Sequence, residues 1–276
     1  MKFPLSILSV LVTLVVFLTA PAHAVLLEFT TGEGYANGSL SGQPSASNTW
    51  LQSGAGSPFT VNTSAGGSVS YDVAQNSRVV GYAESLNFQT GNPFTVSIDL
   101  QFVQSTATVG GSTVFANLTF LTGQNTGTIA GTTLGLGRTS TLDGYRIAAF
   151  SSISTNIAGS ALGINSAGLD TTSDLLRLTY TLTQGATNTT WLASYTLRNV
   201  TTATDVVTNS VSNINIGSGA GDTSLFSALA SGASMTTSGL SSFQVNSYSL
   251  VPEPTAVGLM AVGGALLMTV RRRRLS

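Results

Sequence analysis

Several segments of the chain alternate strictly between apolar and polar residues. In segment 94–102, Phe, Val, Ile, Leu and Phe occupy every second position, and Thr, Ser, Asp and Gln fill the positions between them. This period of two is that of a β-strand with one buried face. Segments 174–184 and 190–199 follow the same pattern, and the residues 185–188 between them have the length of a hairpin loop. We therefore predict a strand at 94–102 and a hairpin over 174–199.

Shorter alternating or β-branched runs predict further strands in the same region. They lie at 25–29, 69–73, 79–82, 114–121, 145–150, 205–208 and 242–250. One short helix is predicted at 223–230, capped by Asp222, with Leu225, Phe226 and Leu229 on its buried face. Because the predicted strands alternate and are joined by loops rich in Gly, Ser, Thr and Asn, the fold class is predicted to be all-β. We expect one jelly-roll or β-sandwich domain of about ten antiparallel strands, covering residues 25–250.

The amino-terminal residues have the pattern of a signal peptide. Lys2 precedes an apolar stretch at 5–18, and Ala22-His23-Ala24 fits the small-x-small rule for cleavage. Cleavage after Ala22 is the alternative, since Ala20-Pro21-Ala22 also fits the rule. We expect residues 1–24 to form a signal helix that the export machinery and signal peptidase remove, so that the mature chain begins at Val25.

The carboxyl-terminal residues combine three features in order. Pro252-Glu253-Pro254 comes first, an uncharged apolar stretch at 255–270 follows, and Arg271-Arg272-Arg273-Arg274 comes last. The two prolines restrict the backbone and hold Glu253 extended. The 16 residues of the apolar stretch would span about 24 Å as a helix. That length crosses a membrane only with local thinning. Four arginines resist translocation and are predicted to stay on the cytoplasmic side.

This tail resembles the PEP-CTERM sorting signal of bacterial exported proteins, and the resemblance covers residues 251–276. It implies export through the Sec machinery and temporary anchoring in the inner membrane by a transmembrane helix at 255–270. It also implies recognition of Pro252, Glu253 and Pro254 by a processing peptidase of the exosortase type. The expected destination is the cell surface or the extracellular polysaccharide matrix.

Charge and composition exclude several functions for residues 25–250. Five arginines face ten acidic residues there, which gives a net charge of −5, and the only lysine and the only histidine lie within residues 1–24. Such a domain lacks the clustered cations that nucleic-acid phosphates require, so no nucleic-acid partner is expected. The chain has no cysteine. Without histidine or cysteine, the domain cannot carry a Ser-His-Asp triad, a cysteine nucleophile or a histidine metal site.

Only catalysis by paired carboxylates is left open by this composition. Glycoside hydrolysis needs two acidic side chains across the scissile bond. Glu28, Glu33 and Glu84 are isolated from one another, and Asp170 and Asp174 lie in a segment rich in Gly, Thr and Ser. We therefore predict that the protein is not an enzyme.

A second resemblance concerns the body of the chain. Its motifs are Gly-Ser-Leu-Ser-Gly-Gln at 38–43 followed by Trp50, the segment 173–180, Leu225-Phe226, and a closing strand at 243–250. Together they are similar to the concanavalin A-like, laminin-G-like jelly rolls. The resemblance implies the fold, and that fold commonly binds sugars.

Five residues are candidates for ligand binding. Trp50 could stack on a sugar ring or pack in the core, whereas Trp191 shares an apolar strand face and is predicted to pack. Asp143, Asp170 and Asp174 could donate oxygens to a calcium ion, together with Asp222. The alternative is that these aspartates cap turns, and no known calcium spacing is present. We predict no obligatory cofactor. The expected function is a structural or adhesive envelope module, with a carbohydrate-binding, calcium-assisted module as the alternative.

Overall fold

The computed structural model describes most of the body of the chain. The described residues are 24–44, 49–53, 58–75, 79–87, 93–106, 108–121, 133–149, 153–165, 170–187, 190–214, 224–231 and 237–252. The predicted signal helix and the apolar stretch at 255–270 lie outside these ranges. Within them, no helix has the length and apolar character needed to cross a membrane.

Two antiparallel sheets make up the described part of the chain. The larger sheet has ten strands there: β1 (Val25–Leu27), β2 (Gly38–Ser39), β4 (Phe59–Asn62), β5 (Ser68–Tyr71), β7 (Pro93–Gln104), β12 (Thr171–Thr172), β13 (Leu176–Thr183), β14 (Trp191–Asn199), β15 (Thr204–Ile214) and β17 (Leu240–Pro252). The smaller sheet has seven: β3 (Trp50–Ser53), β6 (Val79–Asn87), β8 (Thr113–Leu121), β9 (Leu134–Arg138), β10 (Gly144–Ala149), β11 (Ile153–Ala158) and β16 (Ser224–Ser231). The predicted all-β sandwich is confirmed, with more strands than the ten expected.

The strand order shows which strands are central. In the larger sheet the order is β15-β14-β13-β7-β17-β5-β4-β2, with β1 beside β17 and β12 beside β7. In the smaller sheet the order is β11-β10-β9-β8-β16-β6-β3. The predicted hairpin is present, because β13 and β14 pair directly and Leu178 lies opposite Leu197. Apolar side chains from alternate positions of both sheets fill the core between them.

The predicted helix at 223–230 is wrong, because this segment forms strand β16. The strand pairs with β6 along one edge and with β8 along the other. Leu225, Phe226 and Leu229 fit the apolar stripe of a helix, but a central strand gains backbone hydrogen bonds on both sides. Tertiary pairing therefore overrides the local pattern. Asp222, the predicted cap, lies outside the described residues.

Short 3-10 turns connect some of the strands. One of them, Gly159–Leu162, follows β11 and ends at Gly163, whose left-handed φ of 77° is typical of a glycine cap. The turn between β9 and β10 lies directly beside it, since the amide of Gly159 donates to the carbonyl of Asp143 at 2.9 Å. These two connections form one end of the smaller sheet.

Candidate ligand-binding cleft

A cleft of about 660 Å³ opens between the β9–β10 turn and the segment that follows β11. Its size falls in the range of pockets that bind small molecules. The described residues that line it come from two stretches of chain: Thr141, Leu142, Asp143 and Gly144 from the first, and Asn156, Ile157, Ala158, Gly159, Ser160, Gly163, Ile164 and Asn165 from the second. Asp143 is the only acidic residue in this set.

The β9–β10 turn holds Asp143 in an uncommon backbone conformation. Its φ is 46°, in the left-handed region that aspartate tolerates better than most residues. The amide of Gly144 donates to the carbonyl of Thr141, and the amide of Thr139 donates to the carbonyl of Gly144. The turn is thus fixed from both sides. With Asp143 two positions before Tyr145, its side chain continues the inward-facing series of β10.

The carboxylate of Asp143 is buried, and only one of its oxygens has a protein partner. The side chain of Gln104 donates from Nε2 to Oδ1 at 2.9 Å. Oδ2 is buried without a hydrogen-bond partner among the described residues, and the residue as a whole is 8% exposed. A buried acceptor left without a donor costs free energy. Asp143 therefore places a buried acceptor without a protein donor beside the cleft.

Gln104 connects this carboxylate to the larger sheet. It lies at the end of β7, is fully buried, and accepts a hydrogen bond at Oε1 from the hydroxyl of Tyr145. The guanidinium carbon of Arg138 lies 5.4 Å from the centre of the Tyr145 ring. Nη1 of Arg138 donates to the carbonyl of Thr106 at 2.7 Å. The base of the site is therefore held by polar contacts that span both sheets.

Burial determines the protonation of Tyr145 and of a second buried phenol, Tyr35. Loss of solvation raises the pKa of Tyr145 above its usual value, and the nearby Arg138 opposes this rise only in part. Loss of solvation likewise raises the pKa of Tyr35. Both phenols are therefore neutral across the physiological range.

We expect the protein to lose stability in alkaline solution. Folding raises the pKa of both phenols. Their contribution to the free energy of unfolding is therefore fully present below the unfolded pKa of about 10, and it is lost as the pH rises above that value. Urea unfolding between pH 8 and pH 11 measures this loss. The variant Tyr145→Phe should show a shallower decline than the wild type above pH 10. An equal decline in both proteins would contradict this assignment for Tyr145.

The rim of the cleft combines apolar and polar groups. The side chain of Leu142 is 60% exposed, whereas Ile157 and Ile164 are buried beneath the cleft. Asn156 and Ser160 are exposed at the opposite side. The exposed groups of the site can therefore exchange hydrogen bonds at an amide and a hydroxyl and contact a ligand at the apolar surface of Leu142. The buried acceptor of Asp143 lies beside them.

Trp50 is not available for stacking on a ligand. Its side chain is fully buried, and its indole Nε1 donates to the hydroxyl of Tyr35 at 2.9 Å. Its ring centre lies 5.0 Å from that of Tyr248 and 5.1 Å from that of Tyr82. Of the two interpretations that the sequence left open, the structure shows core packing. Trp191 is also buried, as predicted.

The three candidate aspartates do not converge on one point. Asp143 packs beside Gly159, and Asp174 packs beside Gly163, so they lie at opposite ends of one short turn. Oδ2 of Asp174 accepts a hydrogen bond from Asn199 at 2.7 Å. Asp170 is exposed, with a left-handed φ of 60°. Among the described residues, no three acidic, histidine or cysteine side chains form a group that could hold a metal ion.

The sequence interpretation missed most of the polar contacts at this site. Gln104, Tyr145 and Arg138 were not predicted as site residues. A signal existed, because Gln104 occupies the next inward position after Phe102 in the alternation of β7. A polar residue at an inward position is a marker of a buried hydrogen-bond network.

Of the sorting-motif residues, the structure describes only Pro252, at the end of the larger sheet. Pro252 is the last residue of β17 and pairs in register with Phe94. Glu253, Pro254 and Arg271–Arg274 lie outside the described residues, as do Ala22 and the rest of the predicted signal peptide except Ala24.

No protein-family model matches the sequence, and no curated protein matches it either. The chain is similar in fold to the lectin UEA-II solved with galactose, with a TM-score of 0.48 and 11% identity, over 84% of this chain and 99% of that one. It is similar to lectin I-B4 of Griffonia simplicifolia in its metal-free form, with a TM-score of 0.46 and 9% identity, over 74% and 93%. It is also similar to an endo-1,3-beta-glucanase of Streptomyces sioyaensis, with a TM-score of 0.48 and 12% identity, over 83% and 96%.

Proposed function

We propose that this protein is an exported envelope module that binds neutral saccharides without catalysis, through the cleft at Asp143. The observation that carries the proposal is the buried Oδ2 of Asp143, which has no hydrogen-bond partner among the described residues. Because this oxygen is buried, the turn that carries Asp143 has to open for a sugar hydroxyl to donate to it. The hydrogen bond would be charge-assisted and therefore stronger than one between neutral groups.

The remaining groups of the cleft also suit a saccharide. A pyranose ring carries hydroxyls around its edge and C–H groups on its faces. The exposed Asn156 and Ser160 can exchange hydrogen bonds with the hydroxyls, while Leu142 offers an apolar contact for a face. An acidic or phosphorylated ligand fits poorly, because Asp143 would repel it and no arginine is among the described residues that line the cleft.

The absence of catalysis is part of the proposal. Hydrolysis of a glycosidic bond uses two carboxylates that flank it. Asp143 is the single carboxylate among the described lining residues. Asp174, which packs beside the lining residue Gly163, is engaged by Asn199. Binding without turnover suits an adhesive role.

Export and sorting complete the proposed function. The sequence features at both ends support passage through the Sec machinery, anchoring at the inner membrane, and cleavage near Pro252-Glu253-Pro254 by an exosortase-type peptidase. Because Pro252 ends β17, the motif follows the sheet without a spacer. The sandwich would then be delivered to the cell surface or to a matrix of extracellular polysaccharide.

We expect Asp143→Asn to weaken saccharide binding about tenfold to a hundredfold. The variant keeps the shape of the side chain and removes its charge, and one hydrogen bond to a charged group contributes about 1.5–3 kcal/mol. An array of neutral oligosaccharides identifies the best binder, and calorimetry then gives Kd for each variant. Asp170→Asn is the matched control, since Asp170 is exposed and has a similar left-handed φ of 60°.

Two results would contradict this proposal. One is that the wild-type protein binds no oligosaccharide on the array. The other is that Asp143→Asn, with an unchanged Tm, binds the best oligosaccharide as tightly as the wild type. A chelator should leave binding unchanged, because one carboxylate does not hold a calcium ion. Loss of binding in the chelator would favour the calcium-assisted alternative.

The sorting proposal has its own measurement. Intact mass of the protein from fractionated native cells is compared with that of a variant lacking Arg271–Arg274. We expect a native mass without residues 1–24 and without the residues that follow the Pro-Glu-Pro motif. A membrane-bound species that keeps all four arginines would instead mean that the tail is a permanent anchor.

A further inference from the structure

Four charged residues form a row across the outer face of the larger sheet. In register, Asp99 on β7 is the partner of Arg177 on β13, Arg177 is the partner of Arg198 on β14, and Arg198 is the partner of Asp205 on β15. The two arginines are therefore direct neighbours, with one aspartate at each end of the row. This face lies on the opposite side of the sheet from the core residues Leu178 and Leu197.

The aspartates occupy only part of the donor capacity of the arginines. Arg177 donates from Nε and Nη2 to Asp99 at 2.7 and 2.8 Å, and Arg198 donates from Nη1 to Asp205 at 2.7 Å. Nη1 of Arg177, and Nε and Nη2 of Arg198, make no hydrogen bond to any residue that the structure describes. The arginine side chains are 48% and 41% exposed. An incoming ligand can therefore reach these donors.

The two arginines are direct cross-strand neighbours, and each is also paired with its own aspartate. Like charges directly opposite each other in a cross-strand pair destabilise a sheet. Residues 25–250 contain only five arginines, and two of them meet here. An anion bound between the guanidinium groups would reduce the repulsion that the two aspartates leave. A carboxylate matches the planar donor fork of arginine particularly well.

The neighbouring rows of the same face consist of hydroxyl side chains. One row, in register across five strands, is Ser249, Ser97, Thr179, Thr196 and Thr208. The next row contains Thr95, Thr181, Ser194 and Ser210. At a spacing of about 4.8 Å between strands, five strands extend about 19 Å. This length accommodates several sugar rings in line.

We propose that this face binds a polysaccharide of uronic acids, with its carboxylates between Arg177 and Arg198 and its ring hydroxyls on the adjacent Ser and Thr rows. The open donors Nε and Nη2 of Arg198 form a fork that selects a carboxylate, and the hydroxyl rows select a sugar over a polyanion without ring hydroxyls. Two arginines are too few for a nucleic acid, whose binding needs many phosphate contacts. This surface is separate from the cleft at Asp143, so the two proposals stand independently.

Calorimetry with a hexamer of galacturonic acid tests the proposal at low salt. We expect the double variant Arg177→Gln/Arg198→Gln to bind the hexamer at least tenfold more weakly than the wild type. Arg198→Gln alone should also bind more weakly, and it should fold normally because its partner Asp205 is 55% exposed. Arg146→Gln is the control for Arg198→Gln, because it removes the same single charge from β10 of the smaller sheet.

Four outcomes would overturn the proposal. The wild type could fail to bind the hexamer, or Arg198→Gln and the double variant could bind it as tightly as the wild type. Polyglutamate of equal charge could bind equally well, which would indicate a general anion effect. Light scattering could also show that the wild type is a dimer and the double variant a monomer. That result would assign the face to contact with a second copy of the chain. Neutral-saccharide binding, measured on the same variants, should be unchanged and keeps the two sites distinguishable.

Discussion

Trp50→Ala is expected to lower the free energy of unfolding by about 3–5 kcal/mol. Trp50 lies on β3, at the edge of the smaller sheet, and its ring contacts Tyr248 on β17 of the larger sheet at 5.0 Å between ring centres. The side chain is fully buried. Truncation would leave a cavity between the sheets and remove the hydrogen-bond donor to the hydroxyl of Tyr35.

Urea unfolding of the wild type and of three variants measures this effect. Leu192→Ala is the matched control, because Leu192 is an apolar side chain on β14 that is 44% exposed, and its truncation should change stability by about 0.5 kcal/mol or less. The loss of stability in Trp50→Phe should lie between those of Trp50→Ala and Leu192→Ala, since phenylalanine keeps an aromatic ring and lacks only the indole donor. A loss below about 1 kcal/mol for Trp50→Ala would contradict the role of Trp50 between the sheets.

Gly137→Ala is expected to destabilise the smaller sheet by about 3 kcal/mol, at the upper end of the usual cost of overpacking. A Cβ added to Gly137 would lie 2.0 Å from the carbonyl oxygen of Thr113 and 2.9 Å from the Cα of Val114. Both atoms belong to the backbone of β8, which pairs with β9. The strand itself would have to move, because no flexible side chain can give way.

Gly111→Ala provides the control for this prediction. A Cβ added to Gly111 meets nothing within 4 Å, and the residue is exposed in the loop before β8. Thermal unfolding should give a clearly lower Tm for Gly137→Ala and a nearly unchanged Tm for Gly111→Ala. Equal Tm values for the two variants would mean that β8 and β9 adapt without cost.

The strands with one buried face were predictable because their sequence carries the period of two directly. Strands β7, β13, β14 and β17 were predicted close to their observed positions. Strand β9 was missed, because Leu134-Gly-Leu-Gly-Arg138 carries glycines where its neighbours approach closely, and all five residues are buried. A strand without an exposed polar face does not show alternation.

The cleft was predictable only in part. Asp143 was singled out from the sequence as a turn aspartate that could bind a ligand, together with Asp170 and Asp174. Nothing in the local sequence distinguishes the three. Asp143 differs because the fold places Gln104 from another sheet against one oxygen and leaves the other buried without a partner. That difference depends on contacts between residues 39 positions apart.

The sequence by itself determined that the described part of the chain is all-β and that residues 25–250 are acidic and lack histidine and cysteine, since alternation and composition are local properties. It also supplied the sorting pattern at the two ends, which remains a prediction. Only the tertiary structure decided that Trp50 packs in the core, that 224–231 is a strand, and which aspartate lies in the cleft. It alone placed Arg177 beside Arg198. These outcomes depend on strand register and sheet packing, which are set by the sum of long-range contacts and not by any short segment.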